Sequence, residues 1–580
     1  MKFTQIVKNY AGEYKKQLIL CPVAMIGEVA METTIPMMTA NLIKYAIPHS
    51  QETGEISQVL LYGGIMVLMA IASMAFGILG SYLSSKGALG FGRNLRQALF
   101  EKVQHFSFKN IDHFSTASLV TRLTTDVNQV QSIVMMIVRG AVRSPIMFVM
   151  ALIMALNLQP ALVTVLAVAI PILAIAVVVI MNLAFPRFQV MMKKYDKLNS
   201  SVQENLIAIR VVKAFVRAEH EKEKFAASAD DVTATQRAAE KIVLWNGPIM
   251  TILMNFSIVA VLWLGGRRIV GGMMEFGDLT AFITYITQIL MALMMLSFMF
   301  VGLVLSRASV ARISEVLEEE PEIESPAQAA DAVPDGSIVF DHVGFSYQGE
   351  ADHLVLTDIN LSIRSGETVG VIGGTGSAKT TLVSLIPRLY EVTKGRLLVG
   401  GKDVREYDIH TLRDQVAMVL QKNVLFSGTI RENLRWGDEN ATDEEITEAC
   451  RAAAADEFIR SFPDGYETDL GQGGVNVSGG QKQRLCIARA LLKKPKIMIL
   501  DDATSAVDTA TDARIRQALR THMPDTTKII IAQRITSVMD ADHILVMDEG
   551  RVKDFGTHEE LMARSEIYRD VYTSQQKGVA

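Results

Sequence analysis

Apolar residues fall into six long runs over the first half of the chain and into short, strand-length runs over the second. The long runs lie near 17–46, 57–85, 129–157, 160–185, 242–271 and 277–305. A bilayer core needs roughly 20 apolar residues in a helix, and several of these runs approach roughly 30, so the helices are expected to tilt or to project beyond the membrane. A soluble all-α protein is excluded because so little polar chain cannot cover six such helices. Connections after runs one, three and five are short, whereas 86–128 and 186–241 are long, polar and helix-patterned. Glu318–Gly336, acidic and carrying Pro321, Pro326 and Pro334, has no apolar period and reads as a linker. Beyond it, apolar stretches at Ser337–Phe340, Thr368–Ile372, Val416–Leu420, Lys496–Leu500, Lys528–Ala532 and His543–Met547 alternate with polar helical segments. That alternation predicts an α/β domain with a largely parallel sheet. The expected architecture is a polytopic membrane protein with a six-helix α transmembrane domain at 1–317, a linker at 318–336 and an α/β domain at 337–580.

Charge orients this layout. Lys86, Arg93, Arg96, Lys102, Lys109 and Arg122 make the first long connection basic, and Lys193, Lys194, Lys197, Arg210, Lys213 and Arg217 the second. The positive-inside rule therefore places both connections, both termini and the α/β domain in the cytoplasm, with Arg267 and Arg268 as local exceptions. An even number of spans agrees with termini on one side. Composition supports a membrane reading: 49% of the 580 residues are hydrophobic and the mean hydropathy is +0.25. A net charge of -5, from 57 basic and 62 acidic residues, speaks against a nucleic-acid partner. Cys21, Cys450 and Cys486 match no metal spacing and are expected to stay reduced. No cleavable signal peptide is evident at the amphipathic, basic start.

Charges inside the spans are costly and call for a reason. Glu28 and Glu32 lie one helical turn apart on the first span, and Arg139 and Arg143 one turn apart on the third, at similar depth. Two readings stay open: an ion-pair cluster or water-exposed side chains near the inner mouth, and a cavity wall that attracts cationic substrates. The methionine-rich run from Met291 reads as adaptable packing that would also suit varied apolar ligands.

In the α/β domain Val371–Thr381, VIGGTGSAKTT, reads as a strand, a glycine-rich turn and the start of a helix, close to the phosphate-loop pattern G-x-x-x-x-G-K-[ST]. Gly373, Gly374, Thr375, Gly376 and Ser377 would turn backbone N–H groups toward phosphate oxygens; Lys379 brings a positive charge, Thr380 a hydroxyl for Mg²⁺, and Thr381 follows. Ala378 stands where a glycine is expected. A positive φ there would cost about 1 kcal/mol or more. Ile497–Asp508, IMILDDATSAVD, reads as a buried strand whose end presents Asp501, placed to hold Mg²⁺. Val477–Gln483, VSGGQKQ, opens a second helix whose N-terminus favours an anion, as if to close over a nucleotide held by another copy of the domain.

Together these motifs resemble those of the ATP-binding cassette exporters, in their half-transporter form, and the resemblance covers nearly the whole chain. Tyr347 in FSY matches the aromatic that stacks on adenine, Gly373–Thr381 the Walker A loop, and Gln421 in VLQKNVLFSGTI the Q-loop. Ser478, Gly479, Gly480 and Gln481 match the signature, with Val477 in place of leucine; Asp501 matches the Walker B aspartate and Ser505–Asp508 the D-loop. His113–Val127 and Asn205–Phe215 resemble the two cytoplasmic loops that carry coupling helices onto the nucleotide domains. The resemblance implies ATP and Mg²⁺ as cofactors, with Thr380, Gln421 and Asp501 toward the metal and the Walker A, Tyr347, signature and Asp508 positions toward nucleotide. It implies ATP-driven export of amphipathic or multidrug-type small molecules across the cytoplasmic membrane, with membrane lipid around the spans.

Departures from the family pattern concern catalysis. Asp502 stands where a hydrolysing site has glutamate, one methylene short for a general base. Gln533 stands where the switch histidine is expected and cannot titrate near neutral pH. Gln472 replaces a glutamate before the signature. An active variant with conservative swaps, or an engineered inactive form, would also carry these changes. They nonetheless read as a natural degenerate site, because the binding residues remain while both catalytic positions differ. A degenerate site beside an intact signature implies a heterodimer, whose second half-transporter has a consensus Walker B glutamate and switch histidine. Alternatives are a lipid flippase or peptide exporter of the same architecture, a homodimeric low-turnover exporter, and a non-pumping ATP-gated regulator.

Overall fold

The computed structural model describes residues 3–349 and 353–577. Residues 1–2, 350–352 and 578–580, assigned above to the two domains, lie outside the described residues. The chain divides into two compact units, Met1–Gln104 with Ala117–Glu318 and His105–Thr116 with Glu319–Ala580.

The first unit is helical. Among the described residues, six helices or helical stretches are long and apolar enough to cross a membrane: Gly12–Thr53, Ser57–Gln104, Thr116–Leu158, Pro160–Ile207, Ala218–Val270 and Phe276–Met299. Their principal helices are α1 (Lys15–Asn41), α2 (Ser57–Gln104), α4 (Val127–Leu158), α5 (Val163–Ile207), α7 (Ala218–Leu244) with α8 (Asn246–Val270), and α9 (Phe276–Glu318). The short α3 (Phe108–Phe114) and α6 (Ile209–Ala214) lie in the two long connections. Projection beyond the bilayer is large: α2 runs for 48 residues and α5 for 45, so much of each long connection is a continuation of a spanning helix. Ile19, Leu68, Val168, Phe256 and Trp263 turn outward, each more than 60% exposed, a surface that lipid covers at no cost and water does not.

Inside the unit, polar contacts join the helices where apolar packing alone would not fix their register. Tyr285 on α9 is fully buried and its hydroxyl donates to Thr33 O on α1 at 2.9 Å. Arg143 on α4 reaches α1, donating through Nε to Glu28 Oε1 at 3.3 Å and through Nη2 to Glu32 Oε2 at 2.7 Å. Arg143 thus joins Glu28 and Glu32 in an ion-pair cluster, whereas Arg139 is exposed and has no ion pair among the described residues. At the base of α4, Asp126 is 1% exposed and accepts two bonds from Arg312 of α9, at 2.7 and 2.5 Å. Arg122, also buried, donates to Arg312 O at 3.0 Å and pairs with Glu315 at 2.8 Å.

The second unit contains two sheets. A six-stranded sheet has the order β10-β9-β3-β8-β7-β6, with β3 (Thr368–Gly373), β6 (Val416–Val419), β7 (Ile497–Asp501), β8 (Thr527–Ile531) and β9 (His543–Asp548) parallel and β10 (Arg551–Gly556) antiparallel to β9. β7 and β8 are buried at every residue, which explains their near-continuous apolar sequences. A second, antiparallel sheet of order β2-β1-β4-β5 comprises β1 (Ile338–Phe345), β2 (Leu356–Ile363), β4 (Lys394–Val399) and β5 (Lys402–Asp403). Residues 105–116 belong to this unit. Tyr390 donates to Asp112 Oδ2 at 2.8 Å, Asn110 to Glu319 Oε1 at 2.7 Å, and Lys109 pairs with Glu322 at 2.5 Å.

The Asp126–Arg312 contact offers a check on this packing. Asp126→Asn removes the charge from a bidentate pair whose arginine is partly solvated, and should cost about 1–2 kcal/mol. The expected outcome is a lower thermal unfolding midpoint of the detergent-solubilised chain, with Asp126→Glu falling between.

Candidate nucleotide site

β3 ends at Gly373 and the glycine-rich turn carries the chain into a short helix, α10 (Lys379–Ser384). A Cβ built on Gly374 or Gly376 meets no atom within 4 Å, and Gly376 has φ +85°, so the turn keeps an open concave face that a side chain would fill. Lys379 Nζ lies within the loop, donating to Gly373 O at 2.9 Å, Gly374 O at 2.8 Å and Ser377 Oγ at 3.2 Å. Burial lowers its pKa, against the pull of Asp501 and Asp502. Ala378 adopts φ +67° and ψ +25°, the left-handed conformation that makes its methyl group a source of strain.

β7 delivers the acidic residues. Asp501 and Asp502 are 2% and 8% exposed, and burial is the main reason both carboxyls titrate above the ordinary range of aspartate. Thr380 donates its hydroxyl to Asp501 Oδ2 at 2.8 Å. Two hard oxygen ligands on adjoining elements, next to an open turn lined by backbone amides and a lysine, fit Mg²⁺ with the phosphates of a nucleotide. Asp502 departs from the strand with φ +50°, a conformation aspartate tolerates better than most residues. Gln533, just beyond β8, donates from Nε2 to Asp502 Oδ2 at 2.8 Å. Hydrogen bonds from Gln421, Gln533 and Ser505 partly offset the effect of burial on Asp502.

Tyr347 is 42% exposed and its hydroxyl shares a 2.9 Å hydrogen bond with Thr381 Oγ1. Edge contacts with Phe345 and Tyr390, at centroid distances of 4.8 and 5.2 Å, hold its ring. The predicted residues Tyr347, Gly373–Thr381, Gln421, Asp501, Asp502 and Gln533 thus gather around the ends of β3, β7 and β8. Ser478–Gln481 do not join them: among the described residues no hydrogen bond links that segment to Gly373–Thr381. Ser478 caps α11 (Gly479–Leu492) through a reciprocal pair, its hydroxyl accepting from Gln481 N at 3.3 Å and its own N–H donating to Gln481 Oε1 at 2.8 Å. A Cβ on Gly480 would stand 2.7 Å from Ala506 O, so the D-loop approaches this helix too closely for any side chain. Asp508 caps the following helix by accepting from Thr511 N at 2.9 Å, and this backbone donor leads the causes that lower its pKa.

Two residues with structural roles at the site were not singled out by the motifs, although Gln483 closes the VSGGQKQ segment. Gln483, 4% exposed, donates to Ser505 Oγ at 3.1 Å and accepts from Ala506 N at 3.0 Å, tying the signature helix to the segment after β7. Gln575, near the C-terminus, holds the segment after β8 by donating to Gln533 O at 2.7 Å and accepting from Ile535 N at 2.9 Å. A glutamine buried on an otherwise apolar helix face was the one available hint for Gln483. Gln575 had none.

Fold and site define the class: a P-loop nucleotide domain of the ABC type, following a membrane unit of six spanning helices. The family description "ABC transporter transmembrane region" matches residues 18–293, and "ABC transporter" matches residues 356–505. The chain is 38% identical over 553 residues to YfiB of Bacillus subtilis strain 168, an uncharacterized ABC transporter ATP-binding protein, covering 95% of each chain. It is 35% identical over 474 residues to a fatty acid ABC transporter ATP-binding/permease protein of Mycobacterium bovis, covering 82% of this chain and 75% of that one. Its fold matches the structure of a bacterial Atm1-family ABC exporter with ATP bound, with a TM-score of 0.83, 24% identity, and coverage of 97% of this chain and 98% of that one. This chain belongs to the ABC transporter family: it carries one transmembrane region and one ATPase domain of the kind that drives transport across a membrane.

The strain at Ala378 is testable. Ala378→Gly should raise the stability of the full chain by about 1 kcal/mol, since glycine carries no penalty in the left-handed region. Ala378→Val should lower it by more. Thermal unfolding followed by tryptophan fluorescence measures both.

Proposed function

We propose that this chain is one half of a heterodimeric exporter, that its own nucleotide site binds ATP and Mg²⁺ but cleaves ATP slowly, and that Ser478–Gln481 complete a competent site on the partner. The observation that carries the reading is the 2.8 Å hydrogen bond between Gln533 and Asp502. A general base must reach the water it activates, and a switch residue must reach the phosphate. Here the shorter carboxylate and the amide that replaces histidine bind each other. The positive φ at Asp502 and its burial fix that carboxylate close to the backbone, under donors from three side chains.

Binding is provided for separately. Lys379 and the turn amides would hold phosphate oxygens, Thr380, Asp501 and Gln421 would hold the metal, and Tyr347 would offer a ring face to adenine. When bound, Mg-ATP supplies a transferable phosphoryl group and the binding energy that draws two nucleotide domains together. Residues 105–116, bonded to the nucleotide domain through Asp112, Asn110 and Lys109, would pass that closure to the spans. The partner brings a Walker B glutamate and a switch histidine, and substrates are amphipathic small molecules carried across the cytoplasmic membrane. The name of the Mycobacterium bovis relative supports a second reading, in which the cargo is lipid-like.

Purified alone, the chain is expected to hydrolyse ATP slowly. Asp502→Glu combined with Gln533→His should raise the rate by roughly tenfold or more, within the range a positioned acid–base group contributes. Brisk, substrate-stimulated hydrolysis by the unmodified chain alone, unchanged by the double substitution, would refute the reading.

A further inference from the structure

A cavity of about 350 Å³ lies in the membrane unit between α1, α4 and α9. Glu32 and Arg143 form its polar end, and Met147, Met291, Met294 and Met295 contribute much of its apolar wall. Met291 and Met295 are half exposed, so the cavity has an open mouth.

Beside the polar end, the charges of Glu28, Glu32 and Arg143 do not balance, Glu28 lying outside the cavity lining. One guanidinium, that of Arg143, serves two carboxylates, Glu28 and Glu32, and leaves one negative charge over. Arg139 stands one turn away on α4 without an ion pair among the described residues, so it does not close the deficit. Acceptors are also in surplus. Glu28 Oε2 and Gln288 Oε1 are buried with no hydrogen-bond partner, and Gln288 lines the cavity. Two of the nearby hydroxyls are already engaged: Thr284 and Thr287 each donate to a carbonyl of their own helix, at 3.1 Å. An excess carboxylate and orphaned acceptors at membrane depth are expensive unless a positive group joins them. Thioether walls accommodate apolar bodies of varied shape without repacking.

We propose that this cavity is a binding subsite for a lipophilic organic monocation, its positive group set against Glu32 and its apolar body against the methionines. An anionic amphiphile is disfavoured, because it would have to draw Arg143 away from two carboxylates that already hold it. As a step in transport the proposal rests on the exporter reading, but binding itself does not.

The two can therefore be tested apart, by equilibrium dialysis of the purified full-length chain in a neutral detergent without nucleotide. The probe is tetraphenylphosphonium; tetraphenylborate, a counterpart of like shape and opposite charge, is dialysed in a separate sample because the two ions precipitate each other. Saturable binding of the cation, at least about tenfold tighter than that of the borate, is expected. Glu32→Gln should weaken it by about tenfold or more, while Glu32→Asp, which keeps the charge, stays within about threefold. Binding of tetraphenylborate as tight as that of the cation would overturn the proposal even if a variant failed to fold. So would equal affinity of Glu32→Gln and the unmodified chain. Because no nucleotide enters the assay, its result is independent of whether the chain pumps.

Discussion

The nucleotide domain is organised around the burial of two consecutive carboxylates at the end of β7. A strand with every residue buried carries Asp501 and Asp502 out of the sheet into surroundings where charge is costly. Each is kept by donors drawn from a different part of the chain. Thr380 comes from the phosphate loop, Gln533 from the end of β8, and Ser505 from the D-loop, which Gln483 joins to the signature helix. The requirement to satisfy two acids thus brings the phosphate loop, switch segment and D-loop together and ties the signature helix to them. It also separates the roles of the acids. Asp501 faces the hydroxyl that would share a metal, whereas Asp502 is bound by the group that would otherwise sense a phosphate.

Low-dielectric charge governs the membrane unit in the same way. Arg143 is shared by two glutamates of α1, and Arg312 is paired with Asp126 at the foot of α4. Removing one member of such a set leaves the others unpaired, so these contacts define how α1, α4 and α9 pack more sharply than interchangeable apolar side chains can. The lower set is balanced by Arg122 and Glu315, and the upper set is not. The difference is what marks the upper one as a place where another charge belongs.

Sequence patterns revealed those elements whose side chains all face one kind of surroundings. Six spans were legible because apolar length alone decides them, and β3, β6, β7, β8 and β9 because strands buried on both faces read as unbroken apolar runs. Within the antiparallel sheet only β1 was legible. β2, Leu356–Ile363, alternates buried with exposed or half-buried residues and resembles a loop in composition. The long connections read as helix-patterned, but not as direct continuations of α2 and α5, since the polarity change at the membrane surface masks an unbroken helix. At the site, the phosphate loop and Asp501 followed from residue spacing. The contact between Asp502 and Gln533 did not, because it depends on register. Asp501 pairs with Ile531 across β7 and β8, and this places the residues after both strand ends side by side. Ala378 showed as a departure from the loop pattern, but its strain became definite only with its backbone φ of +67°.

A chain that grips ATP without promptly cleaving it is recognised by the chemical fate of the nucleotide it holds once purified. Radiolabelled ATP is bound with Mg²⁺, free nucleotide is removed, and the retained label is identified over time. Recovery as ATP is expected, with conversion to ADP accelerated in the Asp502→Glu, Gln533→His variant. Prompt conversion to ADP in the unmodified chain, abolished by Asp502→Asn, would contradict it by showing that Asp502 serves as an effective base.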